Sequence, residues 1–255
     1  MESLIQMIGE QQVILFFLLF ARISGLFAFF PFFSHATIPF SLKMAMTLFM
    51  VIFLFPLMST TQASLSMAGV FLACLSELLI GFVGGLLLSI TLAMLQLAGM
   101  QISFVMGFTM ASVIDPQTST SIPLMSQLLS LFGVMMILAF NGHHEMLLWI
   151  ANSVELLPLG TFYPDESMLY HLSHAITGMF VYGFILSFPV LAFSLLLDVV
   201  FGMLMKTMPQ FNLLVIGFPI KIGVSFVVLI ITLASMMLLF KQEFLEALKS
   251  LNFLY

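Results

Sequence analysis

Long apolar runs alternate with short polar intervals along the chain. The runs lie near residues 13–33, 44–58, 67–110, 122–140, 175–205 and 213–240, and a membrane-crossing helix needs about 20 apolar residues. These runs fit that length unevenly: the second is short, and the third and fifth are too long for one span and too short for two. Gly81, Gly84, Gly85, Gly99 and Gly107 lie in the third run and Pro189 in the fifth, at positions where a helix can bend or break. The pattern predicts an all-α, polytopic membrane protein of kinked helices and helical hairpins, some only partly embedded. Irregular backbone at membrane depth is tolerated only where protein or a wet cavity covers it, so the chain is expected to need neighbours.

Two polar stretches stand out. Residues 111–123, ASVIDPQTSTSIP, place one acid, no base and a run of small hydroxyl residues between two apolar regions. The tail KQEFLEALKSLNFLY puts Phe244, Leu248, Leu251 and Tyr255 on one helical stripe, with Lys241, Glu243, Glu246 and Lys249 mostly elsewhere. That stripe suits a membrane surface or a partner, or else belongs to the ordinary solvated end of the last helix.

Composition narrows the class. The 255 residues are 62% hydrophobic and 7% charged, with 30 Phe and 22 Met, and a mean hydropathy of +1.23 lies outside the range of soluble domains. A net charge of −5 with six basic residues in total excludes a nucleic-acid partner, which needs clustered Lys and Arg. Lys43, Lys206, Lys241 and Lys249 are too few and too scattered to orient the chain by charge bias. The single Cys74 cannot form an internal disulfide and reads as a small buried hydrophobe. The start, MESLIQMIGEQQ, lacks the basic region of a cleaved signal, so the first apolar segment is expected to act as its own uncleaved insertion signal.

Charges inside apolar runs are costly, about 2.5–3.5 kcal/mol each on insertion scales. Arg22, Glu77, Asp198 and Lys221 are such charges, and each is expected to pair with another of them or with a second subunit. A proton relay would need several carboxylates or histidines on one run, and each run has at most one or two. Gly81 and Gly85 stand at the GxxxG spacing that allows close helix approach.

The residue patterns of catalysis are missing. His143, His144 and Glu145 are adjacent and His171 and His174 are close in sequence, but there is no H-E-x-x-H, and adjacent helical residues point to different faces. No G-x-S-x-G elbow and no glycine-rich phosphate loop occurs, and Asp115 and Asp198 lack the setting of an intramembrane aspartyl dyad. Neither an enzyme, a metal site nor a cofactor is expected. A small-molecule transporter with broken helices would show matching interrupted segments in two halves, and no convincing internal repeat is present.

The ordered set GFTMASVIDPQ (107–117), SIP (121–123), LAFNGHHEMLL (138–148), SVELLPLG (153–160) and GFPIKIG (217–223) resembles the FliR family of the flagellar type III export apparatus. The motif positions include Asn141, Gly142, His143, His144, Gly217, Phe218 and Pro219. Virulence injectisomes have a counterpart of the same architecture, and the NGHH and DPQ elements favour the flagellar member. The resemblance implies a FliP-like part over about 1–165 followed by a FliQ-like part over about 166–255. It also implies assembly with FliP and FliQ, with FlhB and FlhA attached nearby, in the inner membrane at the flagellar basal body. Such a gate passes unfolded flagellar subunits across the membrane. The family's pore plug would correspond here to the loop 107–123, with Gly107, Ser112, Asp115, Pro116, Gln117, Thr118, Ser119, Thr120, Ser121 and Pro123. Chemically the loop suits a plug: its hydroxyls exchange hydrogen bonds with water at a net cost of only about 0.5–1.5 kcal/mol each, and Pro116 and Pro123 keep the preceding residues out of helix. Met100, Met106 and Met110 are flexible candidates for a gasket around it.

Overall fold

The computed structural model describes residues 2–29, 39–57, 66–108, 123–162, 164–208 and 213–254. Among these residues seven α-helices follow in order: α1 (Glu2–Phe29), α2 (Phe40–Leu54), α3 (Met67–Met106), α4 (Leu124–Ala139), α5 (Gly142–Leu156), α6 (Glu166–Thr207) and α7 (Phe218–Ser250). One π-helical turn, Leu213–Gly217, precedes α7, and a 3-10 turn, Leu251–Leu254, follows it. No strand occurs among the described residues, as expected where apolar surroundings leave the backbone to satisfy its own hydrogen bonds.

Among the described residues, four helical segments are long and apolar enough to cross a membrane: Gln11–Phe29, Met67–Met106, Glu166–Thr207 and Val215–Ser250. α4 and α5 together form a fifth apolar stretch bent by 66° at Phe140–Asn141. The bend follows from Asn141, whose φ of 59° places it in the left-handed region, which Asn tolerates better than most residues. The amide N–H groups of His144 and Glu145 then donate to the Asn141 carbonyl as α5 begins.

Gly107 apart, neither the third nor the fifth run is broken at the positions where the sequence allows a bend or a break. α3 is helical through Gly81, Gly84, Gly85 and Gly99, and α6 through Pro189. Of the glycines singled out, Gly107 alone ends a helix. The others let neighbours approach: a Cβ on Gly81 would overlap the Arg22 carbonyl, one on Gly85 would lie 2.6 Å from the Leu26 carbonyl, and one on Gly25 would lie 2.5 Å from the Leu78 carbonyl.

The chain falls into two compact units. The first comprises Met1–Ile90, Phe140–Ala175 and Leu245–Tyr255. Its core is a stripe on α1, Leu15, Leu18, Leu19, Ile23 and Leu26, against Ile80, Val83, Leu87 and Leu88 of α3, spaced as one helical face. The second comprises Thr91–Ala139 and Ile176–Phe244. There Leu95, Ala98, Ile102 and Met106 of α3 are buried, as are Met125, Leu129 and Ile137 of α4, Leu186 and Val190 of α6, and Leu229, Met236 and Phe240 of α7.

The tail differs from both sequence-based readings. Phe244, Leu248 and Leu251 are buried within the chain itself, and in the first unit Leu248 lies beside Leu148 and Trp149 of α5. Tyr255 lies outside the described residues.

Candidate functional site

In the second unit, the ends of the polar segment are held by its flanking helices. At the end of α3 the Gly107 N–H donates to the Phe104 carbonyl and the Phe108 N–H to the Ser103 carbonyl, both at 3.1 Å. With Gly107 at φ 89°, this is a Schellman cap, which needs a left-handed residue at that position. A Cβ on Gly107 would also lie 2.8 Å from the Phe218 ring, and Phe108 packs edge-to-face on Phe226 at 6.2 Å. Phe218 comes from the GFPIKIG motif, which thus seats α7 beneath the α3 terminus.

At the other end, the Pro123 carbonyl accepts from the Ser126 and Gln127 N–H groups as α4 starts. The next free donor, the Met125 N–H, reaches back to the Ser103 hydroxyl of α3 at 3.2 Å, so a side chain from the preceding helix caps this one. Ser126 donates to the Gln96 carbonyl, and the glycine at 99 leaves room for the Ser126 backbone. α6 ties in through Ser187 to the Gln101 side chain at 2.5 Å and Ser194 to the Val105 carbonyl at 3.3 Å. Met106 is fully buried in this base and Met100 is half exposed, so of the two described gasket candidates Met100 presents surface. Residues 109–122, including Met110, Ser112, Asp115, Pro116, Gln117, Thr118, Ser119, Thr120 and Ser121, lie outside the described residues.

The four intramembrane charges form two pairs of different character. In the first unit Arg22 donates from Nε to Glu77 Oε2 at 2.5 Å, from Nη1 to the Ser153 carbonyl at 2.7 Å, and from Nη2 to the Leu157 carbonyl at 3.2 Å. Glu77 Oε1 accepts the Gly160 N–H at 2.7 Å. Both side chains are buried, at 2% and 0% exposure. One arginine therefore answers a carboxylate and two carbonyls at the α5 C-terminus, where a cation is also favoured by the helix dipole. In the second unit Lys221 Nζ contacts both Asp198 oxygens, at 2.7 and 2.8 Å, but the Asp198 side chain stays 49% exposed among exposed Leu195, Leu196 and Val199.

The histidine rings of NGHH touch at a tilt of 52° at the start of α5, centroids 4.2 Å apart, and among the described residues no group of three metal-ligating side chains forms. Ser103 was not singled out from sequence, and Ser153 and Gly160 only as the ends of SVELLPLG, with no role attached. They act through backbone groups up to 131 residues away, and spacing carries no signal of such contacts.

Residues 13–247 match the family model described as bacterial export proteins, family 1. The chain belongs to this FliR family of export proteins. Among its relatives, the flagellar biosynthetic protein FliR of Bacillus subtilis (strain 168) is 32% identical over 232 residues, 90% of each chain. That of Pectobacterium carotovorum subsp. carotovorum is 28% identical over 84% of this chain and 82% of its own. That of Escherichia coli (strain K12) is 23% identical over 83% and 81%. For a FliR-family chain, the matched span takes in both charge pairs and the held base of the polar segment.

Proposed function

We propose that the chain is a structural and gating subunit of the flagellar type III export channel, in the bacterial inner membrane at the basal body. It assembles with FliP and FliQ, adjoins FlhB and FlhA, and contributes residues 107–123 as a plug in the path of unfolded flagellar subunits. Family membership and the names of the relatives support the export role.

The observation that carries the plug reading is the base itself. Ser103, four residues before the Schellman glycine, also caps α4, so a small-hydroxyl segment departs from and returns to one packed platform. A mere connector needs no such platform, whereas an insert that must return to one place does. Assembly is supported by α6 and α7, whose most apolar windows are only 28% and 22% buried, and by the half-exposed Asp198 among apolar neighbours. A photocrosslinker at Ser119, in cells carrying a stalled export substrate, is expected to capture the substrate. Capture of partner subunits alone would assign the chain a scaffold role without cargo contact.

A further inference from the structure

In the first unit a cleft of about 270 Å³ opens between α5 and the end of α7. Each wall is one helical stripe: Glu145, Leu148, Trp149 and Asn152 on one side, Leu245, Leu248, Lys249 and Asn252 on the other. We infer that this cleft binds the headgroup of an ethanolamine phospholipid.

The cleft sets charges of opposite sign, Glu145 and Lys249, on facing walls, with an amide on each wall and an apolar lining between. Among the described residues neither charge takes part in an ion pair. A ligand that answers both must carry a cation with N–H donors and an anion with acceptor oxygens. Phosphoethanolamine does: its ammonium donates to Glu145, its phosphate accepts from Lys249, and Asn152 can supply either role. A phosphoglycerol headgroup would leave Glu145 facing an anion, and a choline headgroup has no N–H to donate. Pockets for drug-sized ligands span about 300–1,000 Å³, so this volume suits a smaller polar group.

Depth along α7 agrees. Its apolar run ends at Phe240 and the polar tail begins at Lys241. At about 1.5 Å per residue, Leu245 lies about 7 Å further on, the reach of the headgroup layer, which adds about 5–8 Å to each side of the hydrocarbon. Lys249 is four residues further along, and its stem can reach back toward that layer. Trp149, the chain's one tryptophan, is 5% exposed and seated on Gly84 of α3, so it forms the fixed apolar floor of the cleft. Leu148, 55% exposed, offers the glycerol and upper acyl chains an apolar contact.

The test uses membranes holding the full chain with its partner proteins, and ethanolamine and glycerol phospholipids with the same photoreactive acyl chain. The ethanolamine lipid should label peptides containing residues 145–152 or 245–252, with labelling at limiting probe falling about tenfold in Glu145→Gln and again in Lys249→Met, as for loss of one charge-assisted hydrogen bond. Glu145→Asp should retain most of it, and the glycerol lipid should label at least about tenfold less, by the same measure. Both substituted residues line an open cleft, so the variants should assemble as wild type does. Equal labelling by both lipids, labelling indifferent to Glu145, competition by free phosphoethanolamine as effective as by the lipid, or crosslinking of Leu148 to a partner protein would each overturn the inference. The export reading does not enter the test, so either can fail alone.

Discussion

At the residue scale, the contrast between the two ion pairs decides what substitution should do. Arg22 and Glu77 are sealed and fully hydrogen-bonded, and removing one partner of a buried pair leaves a charge with no solvent, at a cost of about 3–5 kcal/mol. Arg22→Met should therefore lower the thermal midpoint of the purified complex sharply. Glu77→Gln should do so too, because a single amide oxygen cannot accept from both the Arg22 Nε–H and the Gly160 N–H, and the buried guanidinium loses its counter-ion. If Arg22→Met unfolds with wild type, the pair is not what holds α1, α3 and α5 together. Asp198→Asn should instead act on assembly, weakening co-purification with partner subunits, since this half-exposed carboxylate sits among exposed apolar residues of a membrane-length helix. Gly107 yields a second prediction. Alanine there must adopt φ 89° and meet Phe218, which costs about 1–2 kcal/mol for the left-handed backbone alone. Gly223→Ala, in open helix surface, should instead raise stability by up to about 1 kcal/mol.

At the scale of elements, the α1–α3 contact depends on small residues at 25, 81 and 85. Gly81→Ala should separate the two helices, whereas Gly84→Ala meets only the Trp149 ring and should be milder; thermal unfolding of the two variants side by side checks the order. This pairing was partly legible in sequence, because GxxxG marks where helices can approach. Its partner was not legible, since Gly25 lies in another helix with no shared spacing. The long runs marked the helices well, but their glycines and Pro189 were expected as possible breaks. Those glycines are instead packed against neighbouring elements, a role that cannot be distinguished from a hinge until the neighbour is known. The tail stripe likewise announced a buried face without saying that Leu248 lies beside α5. The ASVIDPQTSTSIP segment was legible as an insert by composition, while its platform, built from Ser103, Gly107 and Phe218, joins residues up to 115 apart in sequence.

At the scale of the whole molecule, most of the apolar surface of α6 and α7 is uncovered by the chain itself. Extracted alone into detergent, the chain should aggregate or unfold faster than when co-extracted with FliP and FliQ. Size-exclusion profiles over time measure this, and a long-lived monodisperse monomer would count against obligate assembly. The gate account ties this surface to the platform: partners enclose the chain, and the hydroxyl-rich segment closes what they enclose. Its most direct test is deletion of residues 113–121 in cells containing the partner proteins, with assembly verified, recording small-ion leakage across the inner membrane alongside subunit export. The account predicts an assembled complex that leaks ions. An assembled complex that stays tight and exports normally would contradict it and place the barrier in the partner subunits.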